Sequence, residues 1–273
     1  MSDTPFSLAS SNIYSFQRID QAAPIETSLL VEEIPLAISI NNINHAVMMV
    51  TPVNLDAFAL GFALSEGLIK QASDVRDMTI QANQSTSGIS GLAINLEISA
   101  RQFNQFKQSQ KARLGATGCG LCGIESLEQA FPALGTLPDH EPLIEDSLKT
   151  LRASFFEHQV IGQQSGAIHG ALLISSKGDI LICMEDIGRH NALDKVIGYA
   201  LQQQIPLHNH HVVMSSRCSA ELVQKAIRAK LSGLIHLASP STLAVELARQ
   251  YKLSLIHLPK QDTPRIYAAT AQP

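Results

Sequence analysis

Ile180-Leu181-Ile182-Cys183-Met184-Glu185-Asp186-Ile187-Gly188-Arg189-His190-Asn191-Ala192-Leu193-Asp194-Lys195 runs from an apolar stretch, through a charged loop, into a helix. Up to Met184 the residues are largely aliphatic, as in a buried strand. From Asn191 to Gln204 the positions Ala192, Leu193, Val196, Ile197, Ala200 and Leu201 form one apolar helical stripe. Before it, Ala171–Ser175 is a second apolar run, joined to the first by Ser176-Lys177-Gly178-Asp179, whose composition is that of a hairpin turn. A helix is expected over Ser147–Val160. After the stripe come strands at Val212–Ser215, Leu234–Ala238 and Ser254–Leu258, alternating with helices at Ala220–Leu231 and Thr242–Gln250. A helix, a hairpin and three helix–strand units predict an α/β fold with a mixed sheet between helical layers.

The first half has a different grammar. Ser28–Leu36, Ala37–Asn41, Ala46–Thr51 and Gly91–Ile98 read as strands, with Asn41-Asn42 and Asn44 supplying turn chemistry. Leu55, Phe58, Ala59, Phe62 and Ala63 recur at helical spacing in Leu55–Leu68, a helix that ends at Gly67. The polar patches Gln81–Ser90 and Gln102–Lys111 read as exposed loop or linker. Pro132, Pro138 and Pro142, with Gly135 and Asp139, make Pro132–Pro142 the expected inter-domain linker. The expected organisation is a tail over 1–24, a β-rich N-terminal domain over 25–138 and an α/β/α domain over 139–273.

Composition narrows the function classes. A chain of 273 residues, 45% hydrophobic and 16% charged, is globular and long enough for one large or two modest domains. A net charge of -4 provides no global field for nucleic acid or an anionic membrane. No apolar run approaches the roughly 20 residues of a membrane span. Tryptophan is absent, which argues against a stacking platform for single-stranded nucleic acid. The start Met1-Ser2-Asp3-Thr4-Pro5 lacks the apolar core of an export signal. With four cysteines, the expectation is the reducing cytoplasm, where paired thiols are more often catalytic, redox-active or metal-binding.

Gly118-Cys119-Gly120-Leu121-Cys122-Gly123 places two of those thiols three residues apart among glycines. A Cys-x-x-Cys pair is a setting for a depressed thiol pKa, and the thiolate is the nucleophile. The same spacing is half of a zinc knuckle, but no second Cys or His pair completes it. A structural disulfide is the third reading. His208, His210 and His211 lie between Pro206 and Val212-Val213-Met214, as a loop entering a strand.

Glu185-Asp186-Ile187-Gly188-Arg189-His190-Asn191 is the second constellation. A strand end feeding a helix N-terminus is where layered α/β proteins bind ligands. Arg189 offers a fork for phosphate or carboxylate, His190 offers an imidazole as proton donor or acceptor, and Glu185 and Asp186 offer acceptors to a purine or ribose. The alternative is a plain turn, with Asp186 or Asn191 as cap, Gly188 as bend, and Asp194 and Lys195 in solvent. Ser215-Ser216-Arg217-Cys218 repeats the pattern one strand later, and Ser239-Pro240-Ser241-Thr242 does so again. His169 is a candidate for the same rim.

Together these motifs resemble the FdhD/NarQ family of formate dehydrogenase accessory sulfurtransferases. The resemblance takes in Val31-Glu32-Glu33-Ile34-Pro35-Leu36, Thr51-Pro52, Gly61-Phe62-Ala63-Leu64-Ser65-Glu66-Gly67, the cysteine loop, Glu185 through Lys195 and Ser216 through Glu221. It implies a cytidine-deaminase-like α/β/α domain over 139–273. It also implies a sulfur relay from a cysteine desulfurase to the molybdenum or tungsten bis(guanine dinucleotide) cofactor of the formate dehydrogenase catalytic subunit. By position, Cys119 is the persulfide cysteine, Cys122 its partner, and Leu258-Pro259-Lys260-Gln261-Asp262-Thr263 a contributor to cofactor binding. Arg189 and Arg217, with Glu185, Asp186, His190, Asn191 and Ser216, are the other expected cofactor contacts, and a homodimer is implied. Deamination is not, since a zinc deaminase wants His-x-Glu and Pro-Cys-x-x-Cys, whereas His169 is followed by Gly170-Ala171 and the cysteine pair by position follows Gly118. The rivals are a cofactor chaperone without sulfur transfer and a zinc-knuckle interaction domain.

Overall fold

The computed structural model describes residues 11–19, 25–111 and 131–269. The chain opens with an antiparallel ribbon of β1 (Ser11–Phe16) and β2 (Glu26–Val31). A four-stranded sheet follows, built from β3 (Ile34–Ile40), β4 (Ile43–Val50), β5 (Val75–Gln84) and β6 (Ser90–Ile98) in the order β4-β3-β6-β5. Strand β3 shows the period of two directly: Ile34, Leu36, Ile38 and Ile40 are buried, and the residues between them are half-buried. Asn41 and Asn42 both take positive φ, 47° and 64°, the primed turn that suits hairpin twist.

Helix α1 (Leu55–Ser65) is buried almost all round, and Gly67 at φ 74° follows its end. Helix α2 (Ala100–Lys111) corrects the expectation of a linker over Gln102–Lys111. Phe103 and Phe106, one turn apart, anchor it, and Phe106 meets His45 edge-on with ring centroids 5.4 Å apart. The other polar patch is exposed and divides between the β5–β6 ladder, which pairs out to Gln84 and Ser90, and the turn Ser85–Ile89 that joins the two strands.

The second half forms α3 (Glu145–His158), the short α4 (Val160–Ser165), β7 (His169–Ser175), β8 (Ile180–Asp186), α5 (Arg189–Gln202), β9 (His210–Met214), α6 (Ala220–Arg228), β10 (Gly233–His236), α7 (Thr242–Gln250), β11 (Ser254–His257) and β12 (Arg265–Ala268). Its sheet runs β12-β11-β10-β9-β7-β8. Strands β9, β10 and β11 are parallel, while β7 is antiparallel to both neighbours. The C-terminal ends of β8, β9, β10 and β11 and the start of β7 therefore share one edge. Leu148, Leu151 and Phe155 of α3 cover one face, on Leu172, Ile174, Val213, Ile235 and Ile256. Helices α5, α6 and α7 cover the other, which gives the expected α/β/α layering.

Helix α1 packs along α5 at glycine contacts. A Cβ on Gly61 would lie 1.7 Å from the carbonyl oxygen of Asp194, and one on Gly198 would lie 1.7 Å from that of Ala57. Only hydrogen fits there, and one apolar core runs from the small sheet through α1 and α5 to the large sheet. Residues 131–142 lie against the far edge of that sheet. Leu137 is buried and its N–H donates to Tyr251, and His140 contacts Ser254 Oγ at 2.9 Å. Beneath it, His211 is fully buried, its ring 6.1 Å from that of His140. Among the described residues, no helix is long and apolar enough to cross a membrane.

Candidate functional site

The shared edge collects the three expected strand ends. Glu185–Asn191 follows β8, Ser215–Arg217 follows β9 and Ser239–Thr242 follows β10. His169 stands at the start of β7, its Nδ1 3.2 Å from Ser215 Oγ, which also accepts the Gly170 N–H at 3.0 Å. His190 Nε2 lies 2.8 Å from Glu221 Oε2 in the first turn of α6. Neighbouring loops are stitched to one another. Leu237 N–H donates to Met214, Ser241 N–H to Cys218, and Leu258 N–H to His236. His236, fully buried, has Nδ1 2.9 Å from the Ser216 carbonyl oxygen, and Ser241 caps α7 through Ala244 N–H.

Below this rim the acids are used internally. Asp186 Oδ2 accepts from Thr51 N–H at 3.1 Å and pairs with Lys195 Nζ at 2.7 Å, both side chains wholly shielded from solvent. Its Oδ1 accepts from Gly188 N–H and Asn191 Nδ2, each at 2.8 Å. Lys195 Nζ also donates to the carbonyls of Thr51 and Glu185 at 3.0 Å, and Asn191 Nδ2 to that of Met49 at 2.8 Å. Four donors fill the lone pairs of the Asp186 carboxylate. Glu185 turns the other way and accepts both Ile161 and Gly162 N–H at 2.8 Å, closing the start of α4. The acceptors expected to meet a purine or ribose already hold the backbone.

The alternative of solvated Asp194 and Lys195 is also corrected. Both are buried, because α5 is packed by α1 on one side and by the sheet on the other. Asp194 pairs with Lys225 at 2.9 Å and accepts from Ser65 Oγ at 2.7 Å. The N-cap of α5 is Gly188, with no side-chain cap.

The cations are placed differently. Arg217 is exposed, and Arg189 is half-buried with Nε unpartnered among the described residues. Lys260 and Gln261 are exposed, Leu258 is buried under the rim, and Pro259 is half-buried. Asp262 is occupied with Arg265 at 2.6 Å and with Thr263 N–H at 2.8 Å. Ser216 is buried and its hydroxyl donates to the Arg217 carbonyl at 3.1 Å. Arg152 of α3 escaped the sequence reading. It donates to the carbonyls of Leu237 and Leu258 and ties the loops after β10 and β11 together. Thr51 also escaped it as a partner of the site, though Thr51-Pro52 stood among the motifs that carry the resemblance.

Burial, then the nearby Arg189 and His190, hold the His169 imidazole below its ordinary pKa. The hydrogen bond from His190 holds Glu221 below the usual carboxylate range. Burial pushes the Cys183 and Cys218 thiols up to about 12, which makes both poor nucleophiles. Cys119 and Cys122 lie outside the described residues.

A family model described as FdhD/NarQ family matches residues 31–272. A protein of Burkholderia mallei (strain ATCC 23344) named "Sulfur carrier protein FdhD" is 37% identical over 246 residues, covering 88% of each chain. One of the same name from Bordetella bronchiseptica (strain ATCC BAA-588 / NCTC 13252 / RB50) is 34% identical over 239 residues, 88% of this chain and 85% of the relative. A crystal structure of a candidate formate dehydrogenase accessory protein from Desulfotalea psychrophila matches with a TM-score of 0.69 at 22% identity, over 96% of this chain and 98% of that one. The likeness in structure concerns the fold.

Proposed function

The chain belongs to the FdhD/NarQ family, and on that premise we propose that it is a cytoplasmic sulfur carrier for formate dehydrogenase maturation. Cys119 thiolate attacks the outer sulfur of a cysteine desulfurase persulfide. The donor S–S bond breaks, the desulfurase leaves as a thiolate, and Cys119 holds the sulfur as a persulfide. The recipient is the molybdenum or tungsten bis(guanine dinucleotide) cofactor of the formate dehydrogenase catalytic subunit, a substrate here and not a resident group. Cys122 serves by one of two balanced routes. It takes the sulfur in a second exchange, or it attacks Cys119 Sγ and expels the terminal sulfur as sulfide, leaving a Cys119–Cys122 disulfide.

The observation that carries this reading is the contrast among the four thiols. Cys218 is buried and Cys183 half-buried, and both thiols are pushed up to about 12, which leaves the pair in the glycine-rich motif as the candidate sulfurs. The rim supports the other half. Phosphates of the guanine dinucleotide need positive charge and N–H donors, and Arg189, Arg217 and Lys260 lie around the N-termini of α5 and α6 and the loop after β11. In this reading Asp186, Asn191 and Glu185 shape the rim and the cations touch the ligand. Loading by a desulfurase and cysteine, followed by intact mass, tests the reading. Wild type gains one sulfur and Cys119→Ala gains none; a wild type that gains none while still binding guanine nucleotide is a cofactor chaperone instead.

A further inference from the structure

Residues 131–142 cross the end of the large sheet opposite the rim without joining it as a strand. Pro132, Pro138 and Pro142 have no N–H to give to a ladder. Leu137 is the one buried side chain of this strap. Its N–H donates to the Tyr251 carbonyl at 3.0 Å, Leu134 N–H to the Tyr251 hydroxyl at 3.4 Å, and Glu141 N–H to Asn209 Oδ1 at 3.1 Å. The Asp139–Lys252 pair is exposed and adds little. Under the strap, His211 at the start of β9 is fully buried, and neither ring nitrogen has a hydrogen-bond partner among the described residues. Two walls of its site are laddered strands. Ile174 stands opposite it on β7, and on β10 a Cβ at Gly233 would lie 2.6 Å from its Cδ2. The third wall is the strap, whose His140 ring meets it edge-on with centroids 6.1 Å apart.

An imidazolium carries two N–H donors, and leaving both unmet in a buried site is costly. The strands cannot part without breaking the sheet, so the strap is the wall that yields. We infer that the strap is an acid-released latch: a proton enters His211 as residues 131–142 leave the end of the sheet. The ionisable groups that act on His211 are His140 on the strap and His210 on its own strand; those that act on His140 include His208, on the loop before β9, and Asp139. Strands β7, β10 and β11 bring the uncharged Ile174, Gly233 and Ser254 to the cluster. Burial first, then His140 and His210, hold His211 down to about 4 from the ordinary 6.5. The opened state therefore binds the proton more tightly, and opening becomes easier as pH falls from 6.5 toward 4. Between pH 7 and pH 5 the opening equilibrium should rise roughly 20-fold. The consequence rests on the sulfur-carrier reading. The strap joins the cysteine motif to α3, so its release gives Cys119 a longer leash to the fixed start of α3 and a wider reach toward donor and recipient.

Hydrogen exchange on the full chain tests the latch, with protection expressed relative to the unstructured rate at each pH. From pH 7 to pH 5 the Leu137 and Glu141 amides should lose roughly 20-fold in protection. Mild urea should not hasten their exchange, because local opening exposes little surface, whereas it should hasten that of the β9 amides. His211→Leu should remove most of the pH response at the strap. Strap protection that is the same at both pH values overturns the inference. So does strap exchange that follows urea as β9 does, since the opening is then global unfolding. Both readings come from wild type and stand even where the variant fails to fold. A folded His211→Leu with an undiminished pH response also overturns it, by assigning the proton to another group. Persulfide loading at Cys119 is read separately by mass, so the latch and the sulfur chemistry fail independently.

Discussion

The rim where β8 and β9 end has an inner layer and an outer layer, and they spend their polar groups in opposite ways. Inside, Asp186, Lys195, Asn191 and Glu185 satisfy one another, the Thr51 backbone and the start of α4. Outside, Arg217 is exposed and Arg189 is half-buried, its Nε shielded from solvent and unpartnered among the described residues. The rim thus contains residues that build it and residues that stand outside that network. Residue type alone does not separate the two; partners do.

The largest expected effect comes from breaking the inner layer. Lys195→Ala strands the Asp186 carboxylate in a fully buried position, and unfolding free energy should fall by about 3–5 kcal/mol. Urea titration checks this, and a loss under about 1 kcal/mol would show the network to be dispensable.

The same contrast holds for the imidazoles and makes stability depend on pH. Burial depresses His211 and His236 from the ordinary 6.5 to about 4 in the fold. A depressed folded pKa means the unfolded chain binds the proton more tightly. The contribution is therefore intact above pH 6.5 and lost progressively as pH falls from there to about 4. Each group accounts for on the order of 3 kcal/mol over that window. Denaturant melts at pH 7 and pH 4.5 measure the slope, and His211→Leu should flatten it; an unchanged slope would mean that other groups set it.

Breaking the outer layer should leave stability alone and weaken binding. Arg217→Ala or Arg189→Ala removes a charge-assisted contact of about 1.5–3 kcal/mol, so guanosine diphosphate affinity should fall roughly ten- to a hundredfold. Added salt should shrink that loss if the contact is exposed. Calorimetric titration with unchanged affinity in both variants would move the site away from this rim. The smallest effect belongs to the exposed Asp262–Arg265 pair, where Asp262→Ala should leave the thermal midpoint unmoved.

The α/β/α half was legible because its strands are aliphatic runs, Ala171–Ser175 through Ser254–Leu258, separated by striped helices. Helix α2 was not, since Phe103 and Phe106 are its apolar anchors in a chain of Gln, Asn and Lys. Strand β5 escaped because it alternates half-buried Val75, Met78 and Ile80 with exposed Arg76, Asp77, Thr79 and Gln81, a polar pattern that reads as loop. At the site, the strand-end rim was visible, but the fate of its acids was not. Asp186 is filled by Thr51, 135 residues away, and no local pattern carries that pairing.

The account rests on sulfur passing through Cys119, and labelled sulfur follows it directly. The protein is loaded by a desulfurase with labelled cysteine, freed of donor and mixed with inactive formate dehydrogenase. The label should move from Cys119 to the enzyme's cofactor as activity appears, with neither event in Cys119→Ala. Activity restored by Cys119→Ala, or by wild type without movement of the label, would contradict it.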